Sequence, residues 1–125
     1  ACRSGTLTAY GFGDSASALG QYGWFSENAS SAGERYAHEV GLKLPNGWTL
    51  HDMHGNVWEW CRDSYSVKRR GGTDPRGPSS GSDRVSRGGC WLNSPRYARS
   101  ANRFRLSPDN RLDSLGFRVL RSSTR

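Results

Sequence analysis

The chain has 125 residues and a formal net charge of +7, and this length accommodates one domain rather than two. No apolar run approaches the roughly 18–20 residues that a membrane-spanning helix needs, and three cysteines, an odd number, do not indicate a disulfide scaffold. Ile is absent, but 5 Trp, 5 Tyr and 4 Phe predict a compact domain with an aromatic core and many loops.

The first half of the chain predicts short elements separated by loops. Residues 5–13 are typical of a turn or a short strand edge, and residues 15–19 predict a helical turn with Asp14 as its candidate cap. Three aromatic residues within 22–25 predict a buried cluster. The alternating pattern of 56–61 predicts a strand.

The second half predicts more strand but no long helix. Residues 69–83 are rich in Gly, Pro and Ser, which indicates a long loop. Strands are predicted over 84–91, interrupted by two glycines, and over 98–105. A loop over 106–114 then leads to a closing strand over 115–120. The pattern therefore predicts a loop-rich β or α+β domain.

The positive charge is concentrated in the last third of the chain. Residues 84–125 contain ten Arg, no Lys and two Asp, whereas residues 1–83 are close to neutral. One interpretation is an anion- or nucleic-acid-binding surface. The other, which we favour, is that the guanidinium groups tie loops together by donating to backbone carbonyls and carboxylates. Nucleic acid is disfavoured because no zinc finger, RNP-like motif or aromatic-interleaved basic helix is present.

Short motifs occur in a specific order along the whole chain. They are 1–6 (ACRSGT), 52–60 (DMHGNVWEW), 84–89 (RVSRGG), and 99–103 (RSANR) followed by 116–118 (GFR). Together they resemble the formylglycine-generating enzyme family, also called the sulfatase-modifying factor family. The resemblance implies one domain over 1–125 with a loop-rich, C-type-lectin-like α+β fold that has a few short antiparallel strands and little helix.

The resemblance also implies that the usual N-terminal part of the family domain is lacking. The chain begins with Ala1 and Cys2 rather than with Met. We therefore expect a fragment or a processed chain, or a fold that a second chain or a missing N-terminal segment completes.

The catalytic cysteines of the family are not found at the matching positions. The oxidase members that this chain resembles use two cysteines on the loop after the GG strand to bind copper and oxidise a substrate cysteine with O₂. The corresponding residues 91–98 contain no cysteine, and Cys90 stands where the family usually has Ser. The spacing of His51, His54 and Cys61 matches no common zinc pattern. The sequence therefore predicts a protein without the family's oxidase chemistry.

A structural Ca²⁺ ion is implied at the turn before the WEW strand. By resemblance, its ligands are the side chains of Asp52 and Glu59 and the carbonyls of Gly55 and Val57. Oxygen ligands of this kind suit a hard cation. The alternative is that the two carboxylates pair with arginines or cap backbone N–H groups.

Residues 92–114 resemble the diversified region of variable proteins from diversity-generating retroelements, which use this fold. In those proteins, Asn-type codons are randomised at adenines, and the segment lacks all five residues that such codons cannot reach: Lys, Glu, Gln, Met and Trp. The predicted ligand-binding positions are Leu92, Asn93, Ser94, Arg96, Tyr97, Phe104, Leu106, Ser107, Leu112, Asp113 and Ser114. For Phe104, a place in the core and a place on the surface are equally compatible with the pattern.

The sequence thus predicts a non-catalytic module that binds a protein or a small polar ligand. An enzyme of the same family with a different catalytic set is the alternative. The anion- or nucleic-acid-binding surface is a weaker alternative.

Overall fold

The computed structural model describes residues 1–68, 71–73, 75 and 77–121. Its strands are β1 (Trp58–Ser64), β2 (Arg84–Arg87), β3 (Phe104–Leu106) and β4 (Leu115–Gly116). In these residues, a 3₁₀ turn over Ala16–Ala18 leads into one α-helix, α1 (Leu19–Tyr22), and further 3₁₀ turns cover Ser30–Ala32 and Pro95–Ala98. The prediction of little helix and few short strands is confirmed.

The four strands form one mixed sheet in the order β3-β2-β1-β4. β2 is antiparallel to both β1 and β3, with Trp60 opposite Ser86 and Ser86 opposite Phe104. β4 pairs with β1 in parallel, and Leu115 lies opposite Trp58. The expected antiparallel pairing holds for β1 with β2 and for β2 with β3, and the pairing of β4 departs from it, because the chain returns after β3 to the far side of β1 and enters in the same direction.

The predicted strands lie in the right places but differ in length. The strand predicted over 56–61 begins at Trp58 and continues to Ser64. The strand predicted over 84–91 ends at Arg87, because the two glycines that follow adopt φ of +97° and +74°. The strand predicted over 98–105 is shifted to Phe104–Leu106, and the closing strand is reduced to Leu115–Gly116.

The long loop predicted over 69–83 has no helix or strand among its described residues, 71–73, 75 and 77–83. Positions 69, 70, 74 and 76 of that prediction lie outside the described residues.

Ser15, and not the predicted Asp14, caps the first helical turn. Its Oγ accepts a hydrogen bond from the N–H of Ser17 at 3.2 Å, and its backbone is extended. Asp14 instead accepts from the N–H of Ala9 at 2.8 Å. Both residues favour helix N-caps, and the neighbouring loop determines which of them takes the role.

The core is aromatic, as the composition predicts. Tyr10, Leu19, Phe25 and Ala98 form a buried cluster, and the ring of Phe12 packs against it between the rings of Tyr10 and Tyr22, at centroid distances of 5.0 and 4.3 Å. Within the predicted cluster at 22–25, Phe25 is buried, whereas Tyr22 and Trp24 are half-buried.

Two glycines let the N-terminal half approach the turn before β1. A Cβ on Gly23 would lie 1.7 Å from the carbonyl oxygen of His54, and a Cβ on Gly55 would lie 2.1 Å from that of Trp24. Gly55 also has φ of +85°. No other residue type fits such an approach, and the N–H of Asn56 donates to the carbonyl of Trp24 at 2.7 Å as a result.

His54 lies in this junction and joins three segments of the chain. Its side chain is buried, with 2% of the residue exposed. Nδ1 lies 2.8 Å from the carbonyl of Ala98, and Nε2 lies 3.0 Å from the backbone nitrogen of Gly11. The edges of the Tyr10 and Phe12 rings meet the imidazole at centroid distances of 5.6 and 5.4 Å.

These two partners determine the protonation state of His54. The Gly11 N–H can only donate, so Nε2 must accept, and the Ala98 carbonyl can only accept, so Nδ1 must carry the proton. A second proton on the ring would face the Gly11 N–H. Burial accordingly lowers the pKa of His54, and this effect exceeds the opposing effect of the hydrogen bond to Ala98.

We predict that acid destabilises the protein through His54. The folded state keeps the imidazole neutral, whereas the unfolded chain takes up a proton near the ordinary pKa of 6.5. The free energy of unfolding should therefore be retained above that pH and should fall as the pH drops below it. Urea titrations at about pH 7.5 and about pH 5 measure the difference.

The matched variants are His54→Gln and His51→Gln. The first should reduce the loss of stability between the two pH values, because it removes the titrating group, and the second should retain it. Equal pH dependence in wild type and His54→Gln would contradict the assignment.

Candidate functional site

Three segments of the predicted ligand-binding set converge on the buried side chains of Trp58 and Cys90. Phe104 stacks on the Trp58 ring at a centroid distance of 5.1 Å, and Tyr97 meets that ring edge-on at 6.5 Å. The backbone N–H of Trp58 donates to the carbonyl of Ser114 at 2.8 Å. We call the eleven predicted positions, of which Tyr97, Phe104 and Ser114 contact Trp58, the Trp58 face.

Cys90 connects the first segment to the last. It is 1% exposed, and its thiol donates to Oδ1 of Asn93 at 3.0 Å. Burial raises the pKa of the Cys90 thiol, while hydrogen bonds that include the Ser114 side chain lower it by less. The Cys90 side chain is therefore a protonated internal link between two loops.

The positions of the Trp58 face differ in exposure. Leu92, Phe104 and Leu112 are 47, 41 and 47% exposed. Further exposed positions are Ser94, Arg96 and Asp113, and the half-buried ones are Asn93, Tyr97, Leu106 and Ser107. Ser114 is buried. The sequence left open whether Phe104 lies in the core or on the surface. In the structure one side of its ring packs on Trp58, while much of the residue remains accessible.

Arg96 holds Tyr97 in position at this surface. Its guanidinium lies 4.7 Å from the centroid of the Tyr97 ring, and Nη2 donates to the Tyr97 hydroxyl at 2.7 Å. A cation over an aromatic ring and a hydrogen bond to its hydroxyl restrict the rotamers of both side chains. The site therefore presents an ordered aromatic group beside a positive charge.

Arginines fix the backbone beneath the face, as the favoured interpretation of the basic segment predicts. Nη1 of Arg87 donates to the carbonyls of Ser100 and Asn102 at 3.0 and 3.2 Å. Arg99 and Arg111 donate to carbonyls in their own loops. These contacts satisfy carbonyls that the short strands leave unpaired.

Asp52, Val57 and Glu59, three of the four predicted calcium ligands, line one cavity of about 390 Å³ together with Phe117 and Arg118. Both carboxylate oxygens of Glu59 accept from Arg118, at 2.7 and 2.5 Å. Arg118 also donates to the carbonyls of His51 and Asp52 at 3.1 and 3.2 Å. Glu59 thus forms the arginine pair that the sequence offered as the alternative to calcium.

Asp52 has one free carboxylate oxygen. Its Oδ2 accepts from the N–H of Gly41 at 2.8 Å, whereas Oδ1 is buried and has no hydrogen-bond partner. The backbone of Asp52 is left-handed, with φ of +56°. An unpaired buried carboxylate oxygen suits a cation, so Asp52 fits calcium. Glu59 can bind calcium only where its ion pair with Arg118 is broken. Gly55 is part of the adjacent turn, with its N–H bound to the carbonyl of Gly88.

The described residues contain no cluster of three or more His, Cys, Asp or Glu side chains that could hold a metal ion. His51, His54 and Cys61 therefore form no such cluster, and both ring nitrogens of His54 already have backbone partners. All three thiols are free, and burial raises the pKa of each. This direction is opposite to the one that activates a thiolate nucleophile.

Trp58 and Arg118 are the residues of these sites that the sequence did not single out as functional. Trp58 stands in the GNVWEW motif, where the alternation with Glu59 already placed it on the opposite side of the strand. Arg118 stands in the GFR motif. The sequence signal for its role was Glu59, because a carboxylate at that position calls for a positively charged partner. Its contact with Glu59 spans 59 residues of sequence, a distance that spacing does not reveal.

No helix among the residues that the structure describes is long and apolar enough to cross a bilayer.

A family model described as the sulfatase-modifying factor enzyme 1-like domain matches residues 1–123. The structure resembles Treponema denticola variable protein 1 with a TM-score of 0.83 and 36% identity, over 93% of this chain and 41% of that one. This likeness confirms the predicted fold type.

Curated relatives match shorter stretches. The formylglycine-generating enzyme of Mus musculus is 40% identical over 79 residues, which cover 59% of this chain and 21% of the enzyme. Serine/threonine-protein kinase pkn1 of Chlamydia pneumoniae is 39% identical over 83 residues, which cover 62% of this chain and 13% of that protein. The chain therefore spans about a fifth or less of these two relatives.

Proposed function

This chain belongs to the family of the sulfatase-modifying factor enzyme 1-like domain, and we propose that it is a non-catalytic binding module that recognises its ligand through the Trp58 face. The observation that carries the proposal is the packing of Phe104, which is exposed, and Tyr97, which is half-buried, on the ring of the buried Trp58, next to backbone that arginines fix. Recognition surfaces commonly combine a rigid scaffold with variable side chains in this way.

A protein is the ligand class that the face suits best. Leu92, Phe104 and Leu112 are large apolar residues with substantial exposure, and Tyr97 and Arg96 belong to the residue types that are enriched in protein interfaces. A small polar ligand is the second possibility. The basic segment supports nucleic acid poorly, since Arg87 and Arg111 use their guanidinium groups on backbone carbonyls.

We propose further that the eleven positions are diversified, as in the variable proteins of diversity-generating retroelements. The likeness to Treponema denticola variable protein 1 supports this. So does the independence of the backbone from most of these side chains, since the arginines beneath them lie outside the diversified set. Ser114 is the exception, because it is buried.

A library tests this division. Randomising the eleven positions to residues that Asn-type codons reach should leave most clones folded, with position 114 the least tolerant, because the other side chains are not buried. The control library randomises Arg87 and Arg118, which should unfold most clones because each joins two backbone carbonyls. Display on cells, heating and staining for folded protein measures both fractions.

Selection against a folded target protein gives the second readout of the same library. Binders should carry their decisive changes at exposed positions such as Leu92, Arg96 and Phe104. Equal unfolding in the two libraries, or no binders from the first, would contradict the proposal.

The alternative function is that of an enzyme with an unrecognised catalytic set. Residues 91–98 lack the two cysteines of the family's oxidases, and the pKa of Cys90 is raised. Incubation with copper, O₂ and a peptide containing Cys-X-Pro-X-Arg should therefore give no aldehyde in a mass spectrum. A formylglycine-generating enzyme with both cysteines serves as the positive control, and conversion by this chain would overturn the non-catalytic assignment.

We also propose a structural calcium ion at Asp52, with Gly55, Val57 and Glu59 as the remaining ligands that the family resemblance implies. The unpaired Oδ1 of Asp52 supports it, and the pair between Glu59 and Arg118 opposes it. Added Ca²⁺ should raise the melting temperature of the wild type relative to a sample with chelator, because the ion binds only the folded chain.

Three variants separate the calcium ligands from surface charge. Asp52→Asn should abolish the calcium-dependent rise in melting temperature, whereas Asp109→Asn, an exposed carboxylate outside the cavity at Asp52, should leave it unchanged. Glu59→Gln should reduce the rise if Glu59 joins the ion. A wild type that does not respond to Ca²⁺ would remove the ion from the proposal.

A further inference from the structure

A second cavity, of about 290 Å³, lies apart from the Trp58 face, and its lining includes Ala9, Tyr65, Arg99, Asn102 and Arg103. We propose that this cavity binds a small oxyanion, the carboxylate or phosphate group of a small molecule. The proposal does not depend on the Trp58 face, since none of its eleven positions lines the cavity.

Two guanidinium groups give the cavity its charge. Nη1 of Arg103 donates to the carbonyl of Ser66 at 3.0 Å, and its guanidinium carbon lies 5.0 Å from the centroid of the Tyr65 ring. Arg99 uses Nε on the carbonyl of Arg96 at 3.0 Å. In the part of the chain that the structure describes, neither arginine forms an ion pair with a carboxylate. Each is therefore oriented by a neutral partner while its charge stays uncompensated.

Asn102 supplies the observation that points to a ligand. It lines the cavity between the two arginines in sequence, and its side-chain amide nitrogen is buried without a hydrogen-bond partner. Its backbone is already engaged, with its N–H bound to the carbonyl of Arg99 and its carbonyl bound to Arg87. Buried amide donors in folded proteins almost always have an acceptor, and an oxyanion beside the two guanidinium groups would provide one once the Asn102 side chain turns toward the cavity.

The remaining lining permits an anion of modest size. None of the residues that line the cavity is acidic, although Asp14 lies close by and accepts from the N–H of Ala9 at 2.8 Å. The volume corresponds to about ten waters of liquid, enough for a phosphate or a short dicarboxylate. Planar guanidinium groups bind the paired oxygens of either anion in a bidentate manner.

The experiment titrates the ¹⁵N-labelled protein with sodium phosphate and, separately, with sodium succinate, with NaCl added to hold the ionic strength constant. Arginine Nε–H and asparagine side-chain amide signals are followed. We expect saturable shifts confined to Arg99, Arg103 and Asn102 with at least one of the two anions. Saturation by phosphate alone indicates a phosphate ligand, and saturation by succinate alone indicates a carboxylate.

Variants locate the binding. Arg99→Gln should weaken the binding of the saturating anion roughly tenfold, because one charge-assisted contact is lost. Asn102→Asp should abolish anion binding, because the new carboxylate repels the anion. Arg103→Gln should also abolish anion binding, and Arg103→Lys should restore it in part. Arg105→Gln, an exposed β3 arginine outside the cavity, should bind as the wild type does.

Several outcomes would overturn the oxyanion site. They are the absence of saturation with both anions, shifts spread evenly over all arginines, and equal weakening by Arg105→Gln and Arg99→Gln. The dispersion of backbone amide signals verifies that each variant is folded. The wild-type titration uses no variant. A failure to saturate therefore counts against the site even where a substitution prevents folding.

Discussion

A neutral, buried imidazole organises this domain. His54 offers one donor and one acceptor, and the carbonyl of Ala98 and the N–H of Gly11 occupy them. Ala98 ends the 3₁₀ turn that carries Arg96 and Tyr97, so the position of that turn is fixed from the turn before β1. A sheet of four short strands supplies few long-range hydrogen bonds, and one well-placed histidine therefore has a large share in holding the segments together.

Arginine side chains take over much of the work that secondary structure does elsewhere. Backbone carbonyls in loops need donors when they leave water, and one guanidinium can supply several in a fixed plane. Arg87 joins the carbonyls of Ser100 and Asn102, and Arg118 joins those of His51 and Asp52 while it pairs with Glu59. This arrangement explains why the basic segment contains arginine and no lysine, since an ammonium group cannot match that geometry.

Local patterns in the sequence predicted the location of the elements, and contacts between distant residues decided their extent. Alternation placed β1, and two adjacent glycines indicated where β2 would be interrupted. The parallel pairing of β4 depends on which edge the returning chain reaches, and the choice of Ser15 over Asp14 depends on the Ala9 loop. Neither is encoded in a window of neighbouring residues.

The candidate sites divide in the same way. Motif resemblance predicted the positions of the Trp58 face and the carboxylates of the calcium proposal, since those residues occupy recognisable positions in the chain. The partner of Glu59 and the burial of the Asn102 amide arise only when segments far apart in sequence pack together. The residues that define the cavity at Arg99 are individually unremarkable in the sequence, where they look like further members of a basic loop.

Residues 96–104 can serve both of the proposed binding regions because their side chains are divided between them. Arg96, Tyr97 and Phe104 belong to the Trp58 face, while Arg99, Asn102 and Arg103 line the second cavity. The backbone between them is held by Arg87 and by the hydrogen bond from the Ser100 N–H to the carbonyl of Ala9 at 2.8 Å. Because that backbone depends on the arginines and not on Tyr97 or Phe104, changes at the Trp58 face leave the cavity's donors in place. Under the two proposals, a surface that varies in sequence and a site whose chemistry stays constant can therefore share one segment of backbone.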